Sequence, residues 1–329
     1  MPVWSRTKFK SQYRKQNMKI LFNTLTINFR GTAVAVYDYA KYNQEILGNE
    51  SIICYDSTLP YQKDIGTEQK ALDSISKDFK VVSYDSVKGA QDICDSVDMA
   101  YFIRYGHREP LPQVKSVVHA VFQAYEPYGD RYAYVSEWLS QKMNKGVPFV
   151  PHIVKLPEPD GDFREKLGIS KEKIVVGRYG GYYTFDLPFV QEQLIKFVNE
   201  HDNYVFLLAN TQPFYKHPNI KYVNAIVDRQ KKSNFINTCD VMLHARVRGE
   251  SFGLSVCEFL YHNKPVIAWE GGEDQNHRFI LNDTGLLYNE TNLEEKLLNF
   301  KDFNYDYKSL VRQFEPEPVM KKFNEVFIQ

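Results

Sequence analysis

The chain has 329 residues, of which 43% are hydrophobic and 25% charged, a composition typical of globular rather than disordered proteins. Its 41 basic residues balance 41 acidic ones, so bulk charge gives no reason to expect nucleic acid as a partner. No apolar run approaches the ~18–20 residues of a membrane span, and no apolar stretch of a signal peptide follows the first charges. Four widely spaced cysteines predict reduced, packed thiols. We therefore expect a cytoplasmic protein.

The neutral balance conceals a basic amino-terminal tail. Residues 1–17 carry five of the 41 basic residues and no acid, which leaves 36 basic and 41 acidic residues in the rest of the chain. Aromatic side chains (Trp4, Phe9 and Tyr13) lie among these charges. We expect residues 1–17 to be a disordered extension, and a weak membrane-surface contact through this tail is the alternative.

From Met18 onwards, short β-rich runs alternate with helical patterns, which is typical of a parallel sheet with crossover helices. The strands predicted in the first half are Met18–Thr24, Ser51–Asp56, Lys80–Tyr84, Met99–Tyr105, Ser116–Phe122 and Ala133–Glu137. A helical pattern over Ala33–Leu47 ends at Gly48, a typical C-cap residue. Residues 148–159 contain four prolines and are expected to connect two domains.

A second alternating half follows the prolines. Its predicted strands are Lys173–Tyr179, Tyr204–Ala209, Ile220–Asn224, Val241–Ala245, Pro265–Trp269 and Gly285–Tyr288. The sequence therefore predicts an α/β fold of two Rossmann-like, doubly wound domains, residues 18–155 and 156–308, that face a cleft. Residues 309–329 contain a terminal helical pattern, Val319–Phe327, that could return to the first domain. The ligand is expected in the cleft, outside the carboxyl ends of the strands.

Several cofactor and metal motifs are missing from the sequence. There is no GxGxxG fingerprint, no GxxxxGK[ST] loop and no HExxH, and the histidines do not cluster at metal-ligand spacings. The single Asp-x-Asp, Asp160-Gly161-Asp162, lies in the proline-rich connection, where Asp162 is expected to be a helix N-cap. We therefore expect neither a metal nor a cofactor.

The informative stretch is Asp240–Glu270, which reads as strand, polar loop, helix and strand. The amides of Gly253, Leu254 and Ser255 would lie at the N-terminus of this helix, where unpaired N–H groups and the helix dipole favour a phosphate. Glu250 precedes the turn and Glu258 follows one turn into the helix, so both could face one ligand. Ser255-x-x-Glu258 also fits a capping box, and the residues alone leave that alternative open.

These residues carry a resemblance. Glu250-SFGLSVC-Glu258, followed by FLYHNKPVIAW, resembles the E-x7-E signature of retaining GT-B glycosyltransferases of the family 4 type. Further segments resemble other parts of that family in the same order: AYVSEWL from residue 133, the connection from Val150 to Pro157, FREKLGI with KIVVGRYGG, and TGLL from residue 284. The resemblance covers most of the chain from Met18.

The resemblance implies roles in the second domain. Glu250 would lie by the donor sugar, the segment Phe252–Ser255 (Phe252, Gly253, Leu254 and Ser255) would hold sugar and diphosphate, and Glu258 would hold the ribose. Arg178 matches the basic residue that neutralises the leaving diphosphate. A family lysine expected about six residues later is absent, since Tyr183, Thr184 and Phe185 occupy that region. Arg246 or Arg248 could replace it.

The resemblance also implies roles in the first domain. Gly31 matches a glycine loop that faces the diphosphate, although the family's Gly-Gly pair is reduced to one residue. His119 matches a histidine that contacts the donor sugar, while a satisfied histidine at a strand end is the alternative reading, and His107 is a competing choice. From position alone, the residues that could face the acceptor are Glu126, Tyr128 and Asp130.

Together, the motifs predict a glycosyltransferase that moves a sugar from a nucleotide-diphospho-sugar donor to an acceptor, with retention and without a metal. The acceptor could be a glycan, a lipid-linked molecule or a small molecule, because nothing in the sequence is diagnostic. The alternatives are a sugar-nucleotide epimerase of the same fold and a non-catalytic protein that binds a nucleotide sugar or a glycan.

Overall fold

The computed structural model describes residues 17–28, 30–59, 66–143 and 146–329. These residues form two α/β halves, each built on a parallel sheet of six strands. The basic tail predicted for residues 1–17 lies, apart from Asn17, outside the described residues. The two-domain α/β architecture predicted from the alternating pattern is confirmed.

The first sheet has the order β3-β2-β1-β4-β5-β6, and all its neighbouring strands are parallel. Its strands are β1 (Lys19–Asn23), β2 (Glu50–Asp56), β3 (Lys80–Tyr84), β4 (Met99–Arg104), β5 (Ser116–Ala120) and β6 (Arg131–Tyr134). The helices of this half are α1 (Gly31–Tyr42), α2 (Gln69–Ile75), α3 (Val87–Cys94) and α4 (Glu137–Met143). The chain runs outwards from β1 to β3 and returns to β4 on the other side of β1. A ligand crevice is therefore expected between the carboxyl ends of β1 and β4.

The second sheet repeats this plan with the order β14-β12-β10-β7-β8-β9, again with every neighbouring pair parallel. Its strands are β7 (Ile174–Tyr179), β8 (Tyr204–Ala209), β9 (Ile220–Val223), β10 (Val241–His244), β12 (Val266–Trp269) and β14 (Leu287–Tyr288), while β11 (Gly249–Glu250) and β13 (Asp274–Gln275) pair outside it. Its helices are α5 (Pro188–Glu200), α6 (Arg229–Thr238), α7 (Leu254–Tyr261), α8 (Asn276–Leu281) and α9 (Leu293–Asn299). Here the order reverses between β7 and β10, so Tyr179 and His244 end the two strands that flank the second crevice.

The predicted strands of both sheets are all present, and their ends differ from prediction mostly by one or two residues. The largest shift is β6, which ends at Tyr134 because Glu137 already begins α4. The first predicted helix is present as α1, continued by a π-helical turn up to Leu47, and Gly48 ends it in the left-handed conformation. No regular helix follows Asp162: residues 164–168 form turns, and Asp162 Oδ1 accepts a hydrogen bond from the Arg164 amide at 2.8 Å. The N-cap prediction for Asp162 is therefore wrong.

The proline-rich connection carries the chain from the first half to the second without a helix or a strand of its own over residues 151–162. The terminal segment returns in the opposite direction, through helix α10 (Pro316–Phe323) and a π-helical turn to Ile328. Rings of this segment pack into the first half, with Phe323 5.4 Å from Tyr39 and Phe327 5.8 Å from Tyr101 between ring centroids. One face of the first sheet is thus covered by the end of the chain.

Contacts between the two halves show which edges face each other. Gln123, after β5, donates to the Asp274 carboxylate at 3.0 Å, and Ser136, after β6, donates to the carbonyl of Ser251 at 2.6 Å. Gln123 and Ser136 follow strands of the first sheet, while Ser251 and Asp274 lie in the segments that follow β10 and β12 of the second. The carboxyl edges of the two sheets therefore face one another. A third contact between the halves is the pair of Arg229, the first residue of α6, with Asp38 of α1 at 2.6 Å.

The four cysteines are buried and unpaired, as expected of packed thiols. In the described parts of the chain, no helix combines the length and the apolar character that a membrane crossing requires.

Candidate active site

The loop that carries Glu250 is held by a short parallel pairing between β11 and β13. Gly249 in this pairing has φ +74°, and a Cβ there would lie 2.0 Å from the carbonyl oxygen of Asp274. Only glycine fits both the conformation and the space. The pairing places Glu250 beside Gln275 and brings its amide to His277, residues that come more than twenty positions later in the chain.

Glu250 is an ionised carboxylate in a mostly buried position. Its Oε2 lies 2.9 Å from Arg246 Nη1, and its Oε1 lies 3.4 Å from His244 Nε2. Burial by itself raises the pKa of Glu250, but the His244 ring and the Arg246 charge outweigh it and hold that pKa at about 2. Glu250 therefore carries a negative charge throughout the physiological range.

Two histidines lie beside Glu250, and neither was predicted from the sequence as a site residue. His277 accepts the Glu250 amide at Nδ1 (3.3 Å) and donates from Nε2 to the Trp269 carbonyl (2.8 Å). Burial lowers the pKa of His277 to about 3, so this ring is neutral. His244 is the last residue of β10, with its ring centroid 4.5 Å from that of His277. The position of His244 directly before the loop could have identified it from the sequence. His277 comes to the site only through the β11–β13 pairing, which has no local sequence signal.

Helix α7 begins directly after this loop. Its N-cap residue is Gly253, at φ +88°, which has no side chain to accept a hydrogen bond from the first-turn amides. Among the described residues, no other side chain caps these amides. Because α7 follows β10, its N-terminus lies at the carboxyl edge of the second sheet, which faces the first domain. The helix dipole favours an anion at this position. The Phe252 side chain is buried, with its ring 4.9 Å from that of His152, so only its backbone is available to a ligand.

Glu258 does not form the capping box that its spacing allows. Its carboxylate accepts hydrogen bonds from Lys232 Nζ, at 3.0 and 3.3 Å, and from the Tyr179 hydroxyl. Tyr179 ends β7 and Lys232 lies on α6, so Glu258 stands at the second crevice rather than on its own helix terminus. A ribose that binds Glu258 has to share this carboxylate with Lys232.

Arg178 lies at the carboxyl end of β7, buried beneath the loops that follow β7 and β8. Its Nη1 donates to Thr211 Oγ1 at 2.6 Å, and its Nη2 donates to Gly181 O at 2.9 Å and Thr184 Oγ1 at 2.7 Å. The structure thus commits the terminal nitrogens of Arg178 to protein acceptors. Thr184, in the region where the resemblance led us to expect a lysine, is one of those acceptors.

The two arginines considered as replacements for that lysine are also engaged. Arg246 pairs with Glu250, as described above. Arg248 donates to Asp274 at 2.8 Å and lies over the Phe122 ring at 4.3 Å, so it bridges the two domains. Together with the Gln123 contact, this bridge joins the two domains close to the β11–β13 pairing that holds Glu250.

In the first domain, Gly31 begins α1 directly after the loop that follows β1. A Cβ on Gly31 would meet nothing within 4 Å, so internal packing does not require glycine there. That open space lies at a second helix N-terminus, where no described side chain forms a cap. The geometry leaves room for a ligand to approach the α1 backbone.

His119 lies in the interior of the first domain and does not reach the cleft. Its Nδ1 is 2.6 Å from the Tyr101 hydroxyl and its Nε2 is 2.8 Å from the Val150 carbonyl. Burial lowers its pKa to about 4, so the ring is neutral. Phe327 of the returning terminal segment packs 5.4 Å from it, and this covering explains why a polar residue near a strand end is enclosed. A donor contact through His119 would require the ring to give up these bonds.

The remaining candidates of the first domain are separated by the structure. His107 is exposed and pairs with Glu126 at 3.0 Å in the loops beside the cleft. Asp130 accepts the amide of Ser116, the first residue of β5, and therefore lies at the opposite edge of the sheet. Tyr128 is buried near that edge. Of the three suggested acceptor residues, only Glu126 lies on the cleft side.

No family model matches the chain, and no curated protein matches it. Solved structures do. A glycosyltransferase from Rickettsia africae ESF-5 is 15% identical, with 95% of this chain and 98% of that chain covered and a TM-score of 0.69. HepE from Anabaena, crystallised with UDP and glucose, is 12% identical, with 94% and 98% covered and a TM-score of 0.69.

A different activity shares the same architecture. A candidate UDP-N-acetylglucosamine 2-epimerase from Listeria monocytogenes is 10% identical, with 93% of this chain and 95% of that chain covered and a TM-score of 0.59. These likenesses establish the fold, two parallel-sheet α/β domains as in GT-B glycosyltransferases. The reaction has to be argued from the residues of the site.

Proposed function

We propose that this chain is a glycosyltransferase that moves a sugar from a nucleotide-diphospho-sugar donor to an acceptor. One observation carries the proposal: the ionised Glu250 and the uncapped N-terminus of α7 are held together at the sheet edge that faces the first domain. A carboxylate suits sugar hydroxyls, and a helix N-terminus suits a diphosphate. The neighbour HepE, which was crystallised with UDP-glucose, supports this donor class.

The chemistry follows from charge. Cleavage of the sugar–phosphate bond produces an oxocarbenium-like sugar and an anionic nucleoside diphosphate. The first-turn amides of α7, led by Gly253, are oriented before the reaction and can stabilise that anion without reorganisation. Gly31 allows the diphosphate to approach the N-terminus of α1 from the other side of the cleft. In the proposal, Arg178 acts by ordering the two loops that it joins.

Three finer points belong to the same proposal. Glu258 holds the ribose, in the position that Lys232 and Tyr179 define. Transfer proceeds with retention and without a metal, which rests on the resemblance and on the α7 N-terminus as the leaving-group site. The acceptor, a glycan, a lipid-linked molecule or a small molecule, binds to the loops of the first domain beside Glu126. His119 has no part in the proposed site because of its enclosed position.

The first experiment identifies the donor and then tests the two glutamates. A thermal-shift screen of nucleotide sugars selects the donor, because a bound ligand stabilises the folded state by mass action. Loss of a charged hydrogen bond at Glu250→Gln or Glu258→Gln should then lower kcat/KM for release of the nucleoside diphosphate by about 10- to 100-fold. Glu294→Gln, on the surface of α9, is the matched control and should leave the rate unchanged.

The results decide between the readings. Full activity in both glutamate variants, or no stabilisation by any nucleotide diphosphate, contradicts the proposed site. The likeness to the Listeria epimerase favours one alternative, which NMR of the donor without acceptor tests: an isomerised sugar indicates epimerisation. Donor binding with neither transfer nor isomerisation indicates a binding protein.

A further inference from the structure

Among the side chains that surround Glu250, His244 has polar atoms that the described structure leaves unsatisfied. It is 4% exposed, and neither ring nitrogen has a hydrogen-bond partner among the described residues. An unpaired buried polar group lowers the stability of the folded state, and native proteins retain few of them. Such a cost is typical of a residue kept for function rather than for stability.

The neighbours of His244 limit what it can do. Its Nε2 lies 3.4 Å from Glu250 Oε1, and Arg246 occupies the other carboxylate oxygen. His277 packs against the His244 ring, but both of its nitrogens are committed to backbone groups. A proton on His244 Nε2 therefore has Glu250 Oε1 as its nearest acceptor.

We propose that His244 is a positioning residue for the donor sugar: in the donor-bound protein, its Nε2–H donates to Glu250 Oε1 and fixes the carboxylate against the sugar. With Arg246 on one oxygen and His244 on the other, the carboxylate cannot rotate about its terminal bond. Each oxygen still has a lone pair for a sugar hydroxyl. This inference rests on the proposed function and deepens it.

Binding of the sugar and binding of the nucleotide should depend on His244 to different extents. His244 acts through Glu250, which faces the sugar, whereas the nucleoside diphosphate binds to the α7 amides and Glu258. Removal of the His244 donor should therefore weaken binding of a nucleotide sugar and leave binding of the nucleoside diphosphate nearly unchanged. It should not lower stability, because it also removes two unsatisfied buried nitrogens.

The experiment compares calorimetric titrations of the nucleotide sugar selected by the screen with titrations of its nucleoside diphosphate. The expected result for His244→Leu is an affinity about tenfold lower for the sugar nucleotide, the cost of one charged hydrogen bond, and less than twofold lower for the diphosphate. His244→Gln, which retains an N–H donor, should lose less. His262→Gln is the control, because His262 also has a buried Nε2 without a described partner but lies at the other end of α7.

A double-mutant cycle tests whether the effect runs through Glu250. In a Glu250→Gln background, His244→Leu should cause no further loss of sugar-nucleotide affinity. An unchanged sugar affinity in His244→Leu and His244→Gln, or equal losses for both ligands, overturns the inference while the proposed function stands. A wild-type protein that binds no nucleotide sugar overturns the proposed function and this inference with it.

Discussion

Replacement of Arg229 by methionine leaves the Asp38 carboxylate enclosed between the two domains without its cation. Arg229, the first residue of α6, places Nη1 2.6 Å from Asp38 Oδ1, and Nη2 contacts the Lys155 carbonyl in the connection. The Asp38 side chain is 3% exposed, and burial raises its pKa despite the nearby guanidinium. This pair therefore joins the first domain, the second domain and the connection.

The expected loss of unfolding free energy follows from this burial. Removal of one partner of a buried ion pair costs about 3–5 kcal/mol, because the remaining charge is uncompensated. Since 32% of the Arg229 side chain is exposed, water compensates in part, and we expect the lower limit, about 3 kcal/mol. Burial raises the pKa of Asp38 above that of the unfolded chain, and loss of Arg229 raises it further. The stability deficit of the variant relative to the wild type should therefore shrink as the pH falls towards the pKa of Asp38 in the unfolded chain, ~3.9.

Urea unfolding followed by tryptophan fluorescence measures the change, since Trp138 and Trp269 report on the two domains. Asp38→Asn combined with Arg229→Met should recover at least half of the loss, because no buried charge remains. Arg312→Met is the control.

Arg312 pairs with Asp306 at 2.8 Å with both side chains largely exposed, so the control should change by less than about 1 kcal/mol. A loss below about 1 kcal/mol in Arg229→Met, or no recovery in the double variant, would refute the reasoning.

Three further predictions concern the two glycines of the site and the enclosed His119. Gly253→Ala forces a Cβ into a left-handed residue, 3.2 Å from Glu250 Cβ, and should lower both the Tm and the affinity for nucleoside diphosphate. Gly31→Ala should leave the Tm unchanged and weaken that affinity alone, and unchanged diphosphate titrations would remove Gly31 from the site. Burial lowers the pKa of His119 to about 4, so the unfolded chain takes up the proton first and stability falls below about pH 6.5. In the wild type, the free energy of unfolding measured with urea should be about 2 kcal/mol lower at pH 5 than at pH 7, and His119→Gln should lack this difference. An equal pH dependence in both proteins would contradict the assignment.

The site shows how far sequence reasoning reaches. Glu250, Gly253 and the start of α7 at Leu254 follow from local rules: a strand, a glycine that permits a left-handed turn, and a helix pattern. The same rules left a capping box open as an alternative for Glu258, and it does not form because Lys232 and Tyr179 reach the Glu258 carboxylate from other elements. Partners supplied by distant segments have no local signal.

The amino-acid sequence by itself determined the strands and helices, the two-domain α/β plan and the order of the motifs, because periodicity, glycines and prolines act over a few residues. Only the tertiary structure decided which side chains remain available to a ligand. It enclosed His119 beneath Phe327, committed Arg178 to the loops around Thr184, and placed His277 beside Glu250. Each of these outcomes depends on packing between segments far apart in the chain, and packing decides whether a polar group is satisfied internally or left for a substrate.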